Sequence, residues 1–64
     1  MMTVKIIFSE NSPFYKQGIK SDTIENVDEI HYRYNNKNRI AFECPDGSGV
    51  THNINHIKEF EAIS

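Results

Sequence analysis

The chain contains no leucine at all, and alanine occurs only as Ala41 and Ala62. Those are the two strongest apolar helix formers, so a helical core has almost nothing to be built from. In their place stand nine isoleucines, three valines, three threonines and seven aromatic residues. These types suit a pleated, half-buried surface. The expected fold class is therefore mainly β. It is a small, strongly twisted antiparallel meander or a five-stranded barrel-like domain that limits open edges by closure. A short helical turn near the C-terminus is compatible with either.

A length of 64 residues allows one domain, taken as 1–64. A chain this short buries only about 60% of the surface it exposes when unfolded, so its margin of stability is thin. Cys44 is the sole cysteine, so no disulfide inside the chain widens that margin. One unpaired thiol fits a reducing compartment, and the expected location is the cytoplasm. No run approaches the roughly 18 apolar residues of a membrane span, and the first residues lack the apolar stretch of a signal peptide.

Along the chain, Val4-Lys5-Ile6-Ile7-Phe8 is a short β-branched run that predicts a first strand. Pro13 ends it, and residues 11–18 read as a loop. That loop carries Phe14 and Tyr15, whose rings either fold back on the core or stand exposed as a contact site. Residues 19–24 suit a second strand, although Ile24, Val27 and Ile30 also have the spacing of a helical turn. From Ile30 the pattern alternates, with Ile30, Tyr32 and Tyr34 on one face and His31 and Arg33 on the other. Asn35-Asn36-Lys37-Asn38 is a break of hairpin length, because asparagine tolerates left-handed backbone. Ile40, Phe42 and Cys44 supply the return strand, so residues 32–34 are expected to pair with 40–42, with Tyr32 and Tyr34 in the core. Pro45-Asp46-Gly47-Ser48-Gly49 is a second turn, and Val50, His52 and Ile54 complete a three-strand meander. Ile54, Ile57, Phe60 and Ile63 recur every third residue, which suits a helix face or a turn followed by a final strand. The shortage of helix formers favours the turn and strand.

Three constellations bear on chemistry. Cys44, His52 and His56 have donor types that zinc takes, with Asp46 and His31 as possible further ligands. No second cysteine pair completes a structural set, and a half-buried Cys44 serving as a small apolar residue is the simpler expectation. A cysteine–histidine nucleophile pair needs an orienting group and a pocket that so small a domain rarely encloses. Asp28-Glu29 and the Glu59/Glu61 pair read as solvated surface, and the glycines fall in no phosphate-binding pattern. The sequence therefore predicts neither an enzyme nor a cofactor.

Binding surfaces are more legible. The formal charge is only −2, but the charges are blocked. Asp22, Glu25, Asp28 and Glu29 form an acidic segment that suits a basic groove on another protein. Phe14 and Tyr15 are the accompanying aromatic contacts. Arg33, Lys37 and Arg39 make a basic hairpin tip, beside the ring of Tyr34. A small β-barrel uses such a tip to hold single-stranded nucleic acid, although the acidic total argues against it. A free sheet edge offers a third role, pairing between copies in a homo-oligomer.

The run Ile30-His31-Tyr32-Arg33-Tyr34, then Arg39-Ile40-Ala41-Phe42, Asp46-Gly47 and Ile57-Lys58-Glu59-Phe60-Glu61, resembles short accessory proteins of phages and mobile elements. The likeness covers residues 27–63 and points to such proteins from AT-rich Gram-positive bacteria. The abundance of isoleucine, asparagine, lysine, tyrosine and phenylalanine fits AT-rich codons. The resemblance implies a protein that binds a host or phage macromolecule as a regulator or inhibitor. It carries over no site residues. The reading placed first is thus a small non-catalytic protein-binding module.

Overall fold

The computed structural model describes residues 1–33 and 38–63. Strand β1 (Met2–Phe8) is followed by a four-residue helix, α1 (Pro13–Lys16), and then by β2 (Ser21–Val27) and β3 (Glu29–Tyr32). Strands β4 (Arg39–Glu43) and β5 (Gly49–Asn53) lead through a 3-10 turn (Ile54–His56) into β6 (Ile57–Ala62). The strands form two three-stranded antiparallel sheets, ordered β2-β1-β6 and β3-β4-β5.

The mainly β expectation holds, with six strands rather than five and no closed barrel among the described residues. The extra division falls at Asp28. Asn26 takes a left-handed φ of 60°, and the Asp28 amide donates to the Glu43 carbonyl at 2.7 Å. The chain thereby leaves β1 and joins β4, so Ile24 and Ile30 lie on strands of different sheets instead of one helical turn.

β1 is the centre of its sheet, paired with β2 on one side and β6 on the other. Val4, Ile6 and Phe8 are buried, while Lys5 between them is exposed. Val4 pairs with Ile24 and Ala62, and Ile6 pairs with Asp22 and Phe60. In the other sheet, Ile40 lies between Tyr32 and His52, and Phe42 between Ile30 and Val50. The two sheets share one core of Val4, Ile6, Phe8, Val27, Ile40 and Phe42, with Ile24, Ile30, Ile54, Ile57 and Phe60 packed around it.

The three-strand meander forms, but its first hairpin is two residues out of the expected register: residues 30–32, not 32–34, pair with 40–42. Tyr32 therefore faces Ile40, Arg33 already lies in the turn, and Tyr34, Asn35, Asn36 and Lys37 lie outside the described residues. In the second turn the Asp46 carboxylate accepts from the Ser48 amide at 2.9 Å and from its hydroxyl at 2.6 Å. Those two bonds, the hydroxyl's above all, hold the Asp46 carboxyl below its ordinary range. The C-terminal segment is a turn and a strand, and Asn53 caps the turn by accepting from the Asn55 amide at 2.8 Å.

Three local expectations change. Residues 11–18 contain α1, because Ser12 supplies an N-cap and Pro13 sits in the first turn, where its missing N–H costs nothing. The second strand starts at Ser21 rather than at residue 19 and continues to Val27. Tyr32 is not in the core: it is 65% exposed, because it sits on an edge strand at the end of the shared core.

Candidate functional site

Two surfaces gather side chains with functional character. The first lies in the seam between β3, at one edge of its sheet, and β6, at one edge of the other. Tyr32 from β3 and Phe60 from β6 meet there with ring centroids 5.9 Å apart. Phe60 in turn stands edge-on to the buried Phe42 at 5.3 Å, so a line of rings runs from the core to solvent. Ile40, Ile54 and Ile57 floor the groove beside them, and Lys58 and Glu59 edge it. Its volume is about 410 Å³. The 3-10 turn sets this shape. It offers Ile54 and Ile57 to the groove, and the Ile54 amide donates to the Asn38 carbonyl at 3.0 Å.

The second surface is the outer face of the β3-β4-β5 sheet. Glu29 and Glu43 are direct cross-strand partners, and His31 lies two residues along β3 on the same face. The His31 Nε2 is 2.9 Å from the Glu29 Oε2 and 3.3 Å from the Glu43 Oε2. All three donor atoms lie within 4.8 Å of one another, a grouping that no other three histidine, cysteine or acidic residues achieve among the described residues. The cross-strand partner of His31 is Ala41, which is buried.

The structure divides the acidic segment. Asp22 sits on the β1-facing part of β2, opposite Ile6, and its charge acts on His52. Glu29 is seven positions further on, in the other sheet, beside His31 and Glu43. At about 3.3 Å per residue, Asp22 and Asp28 are separated by roughly 20 Å of chain. Glu25, Asp28 and Glu29 remain exposed around the β2–β3 corner.

The two loop rings divide: Tyr15 packs against the core with the Lys20 ammonium 5.9 Å from its ring centroid, whereas Phe14 stacks on Phe8 at 5.1 Å and stays 42% exposed. Of the basic hairpin, Arg39 is half-buried and donates to the Thr51 hydroxyl at 3.0 Å and carbonyl at 3.3 Å. Arg33 is exposed at the turn after β3, with φ of 54°, and Lys37 lies outside the described residues.

Cys44, His52 and His56 do not assemble. His52 pairs with Ile40, four residues before Cys44, which places the two roughly 13 Å apart along β4. Cys44 is half-buried, and its thiol donates to the Glu25 carbonyl at 3.5 Å. The His52 ring instead lies edge-on to Phe8 and Phe14, and burial pushes its pKa below the ordinary imidazole value.

No protein-family model matches this chain, and neither the curated proteins nor the solved structures hold a significant match to it. Function must therefore be read from the two surfaces themselves. Among the described residues no helix is long and apolar enough to cross a membrane.

The sequence offers His31 as a further nitrogen donor to Cys44, His52 and His56, and the fold places it beside Glu29 and Glu43 instead. The signal was present as Glu29-x-His31, a spacing that shares one strand face, with Glu43 on the return strand of the same hairpin. The groove had no comparable signal, because Tyr32 and Phe60 come together only when the two sheets close on each other.

Proposed function

We propose that this chain is a small non-catalytic module that binds an extended segment of another protein along the seam between β3 and β6. The segment seats one bulky apolar side chain in the groove beside Tyr32 and Phe60. Occupancy of this kind is how a small regulator or inhibitor acts on its target.

One observation carries the reading: an aromatic pair on an isoleucine floor lies between two strand edges that pair with no other strand among the described residues. Open edges present unpaired N–H and C=O groups, which an extended peptide satisfies by adding a strand. Alternate side chains of such a peptide point to one face, where the groove receives them. Tyrosine is a favoured residue for this work, giving a large amphipathic contact area at low conformational cost. A volume near 410 Å³ holds a bulky side chain with its neighbouring backbone.

The test is selection of binding peptides from a displayed random library, followed by amide chemical-shift mapping of the complex. Selected peptides should share a bulky apolar anchor and shift Tyr32, Ile54, Ile57 and Phe60. The Tyr32→Ala variant should bind them at least about tenfold more weakly, the 1.4 kcal/mol of a typical anchor. Peptides that bind Tyr32→Ala unchanged, or lose binding only when Glu25, Asp28 and Glu29 are reversed in charge, would move the contact to the acidic corner. Capture that depends on nucleic acid, and disappears with nuclease, would replace protein binding by a role for Arg33 and its neighbours.

A further inference from the structure

We propose that Glu29, His31 and Glu43 bind a divalent transition-metal ion, with zinc the best match to their donors. The set is one imidazole nitrogen and two carboxylate oxygens. Calcium and magnesium prefer oxygen alone, whereas a mixed nitrogen and oxygen set suits zinc and its neighbours in the first transition row.

The spacing is already close to that of a coordination shell. Zinc holds nitrogen and carboxylate oxygen at about 2.0–2.2 Å, so adjacent ligand atoms in a tetrahedral or octahedral shell stand roughly 3.0–3.5 Å apart. The Nε2 of His31 is 2.9 Å from one carboxylate oxygen and 3.3 Å from the other. An ion can enter with small side-chain rotations and no change in the backbone.

The scaffold is also rigid where the ligands attach. Glu29 and Glu43 face each other across a hydrogen-bonded strand pair, and His31 follows at the next position on the same face. Two like charges directly opposite in a sheet oppose its pairing, and a cation between them reverses the sign of that contribution. Glu29, His31 and Glu43 keep 61%, 45% and 43% of their side-chain surface exposed. Solvent therefore reaches the ion, and water or a donor from another molecule fills its remaining positions.

The experiment is calorimetric titration of the full chain with zinc chloride in a non-chelating buffer. Titration with cobalt(II) chloride, followed by visible absorption, reports the ligand field. One equivalent of each ion should bind, and the His31 ring nitrogen should show the largest nitrogen-15 shift. His31→Ala and Glu43→Gln should each weaken binding at least about tenfold, since even residues behind the direct ligands cost that much. Both side chains lie outside the core and keep over two-fifths of their surface exposed, so circular dichroism should report an intact fold. A variant carrying Cys44→Ser, His52→Phe and His56→Gln should bind as the parent does. The proposal is overturned by absence of binding, by parental affinity after either ligand substitution, or by loss of binding in the triple variant.

Discussion

The imidazole of His52 meets the Phe8 ring edge-on at 5.4 Å, with Phe14 closing the cluster at 5.9 Å from His52. The His52 Nε2 is buried there without a hydrogen-bond partner. Burial is the largest influence on this ring and lowers its pKa; the Asp22 carboxylate opposes that, while Arg39 and His56 add to it. The unfolded chain has the ordinary value near 6.5. Between the depressed folded value and that point, the unfolded state binds the extra proton. Stability from this group is therefore complete above about pH 6.5 and declines as pH falls through that window. Urea midpoints of the parent should drop between neutral and mildly acidic pH. His52→Phe should flatten that drop and raise the midpoint at neutral pH, because it removes the unpartnered nitrogen. An equal drop in the variant would assign the pH dependence to other groups.

Gly47 and Gly49 provide a comparison within one turn. Both have left-handed or related backbone, with φ of 85° and 146°. A Cβ on Gly47 would meet open space, whereas one on Gly49 would run into the Phe42 carbonyl oxygen. Gly47→Ala should cost about 1–2 kcal/mol, the ordinary penalty for a left-handed residue with a side chain. Gly49→Ala adds a backbone clash at the start of β5 and should cost more than that. Chemical denaturation of the two variants measures the difference, and equal losses would contradict the account.

Much of the fold is visible in local pattern, and the limits follow from physics. Val4, Ile6 and Phe8 alternate with less buried neighbours because β1 turns one face to the core, whereas Ile40, Ala41 and Phe42 form an unbroken apolar run that is buried throughout. Asp46 and the following glycine announce a turn through their own backbone chemistry. What pattern does not report is which edge lies beside which sheet. Tyr32 has the spacing of a core residue, since it shares a face with Ile30, yet its end of the strand projects past the packed layer. Ser12 likewise reads as an ordinary loop serine, although it is fully buried. The Glu29–His31–Glu43 cluster needed the pairing of β3 with β4, whose strands the sequence had indicated.

Ser12 shows how a short helix is fixed. Its hydroxyl accepts from the Phe14 amide at 3.1 Å, and its own amide donates to the Ser9 carbonyl at 3.0 Å. Four residues are too few to form a stable helix alone, so the cap and the packing of Phe14 on Phe8 must hold α1 in place. Ser12→Ala removes the side-chain acceptor and leaves the Phe14 amide without it. The expected loss is about 1 kcal/mol, seen as a lower thermal midpoint, with increased hydrogen exchange confined to residues 12–18. Uniform protection along that segment would show that the cap contributes little.

Phe42 and Tyr32 test the two ends of the aromatic line that runs through Phe60. Phe42 is fully buried and central in its sheet, so Phe42→Ala removes packing that neighbouring strands cannot refill. The expected cost is about 3–5 kcal/mol. At 0.05–0.15 kcal/mol per residue, a chain of this length has only about 3–10 kcal/mol in total, so the variant should be largely unfolded at 37 °C. Tyr32 contributes mostly surface, and Tyr32→Ala should change stability by about 0.5–1 kcal/mol or less. Urea unfolding of both variants should therefore separate them by several kcal/mol, although their positions share a face of the same hairpin. A Tyr32→Ala loss as large as that of Phe42→Ala would make the ring a structural element. A small loss would show that stability does not depend on the ring.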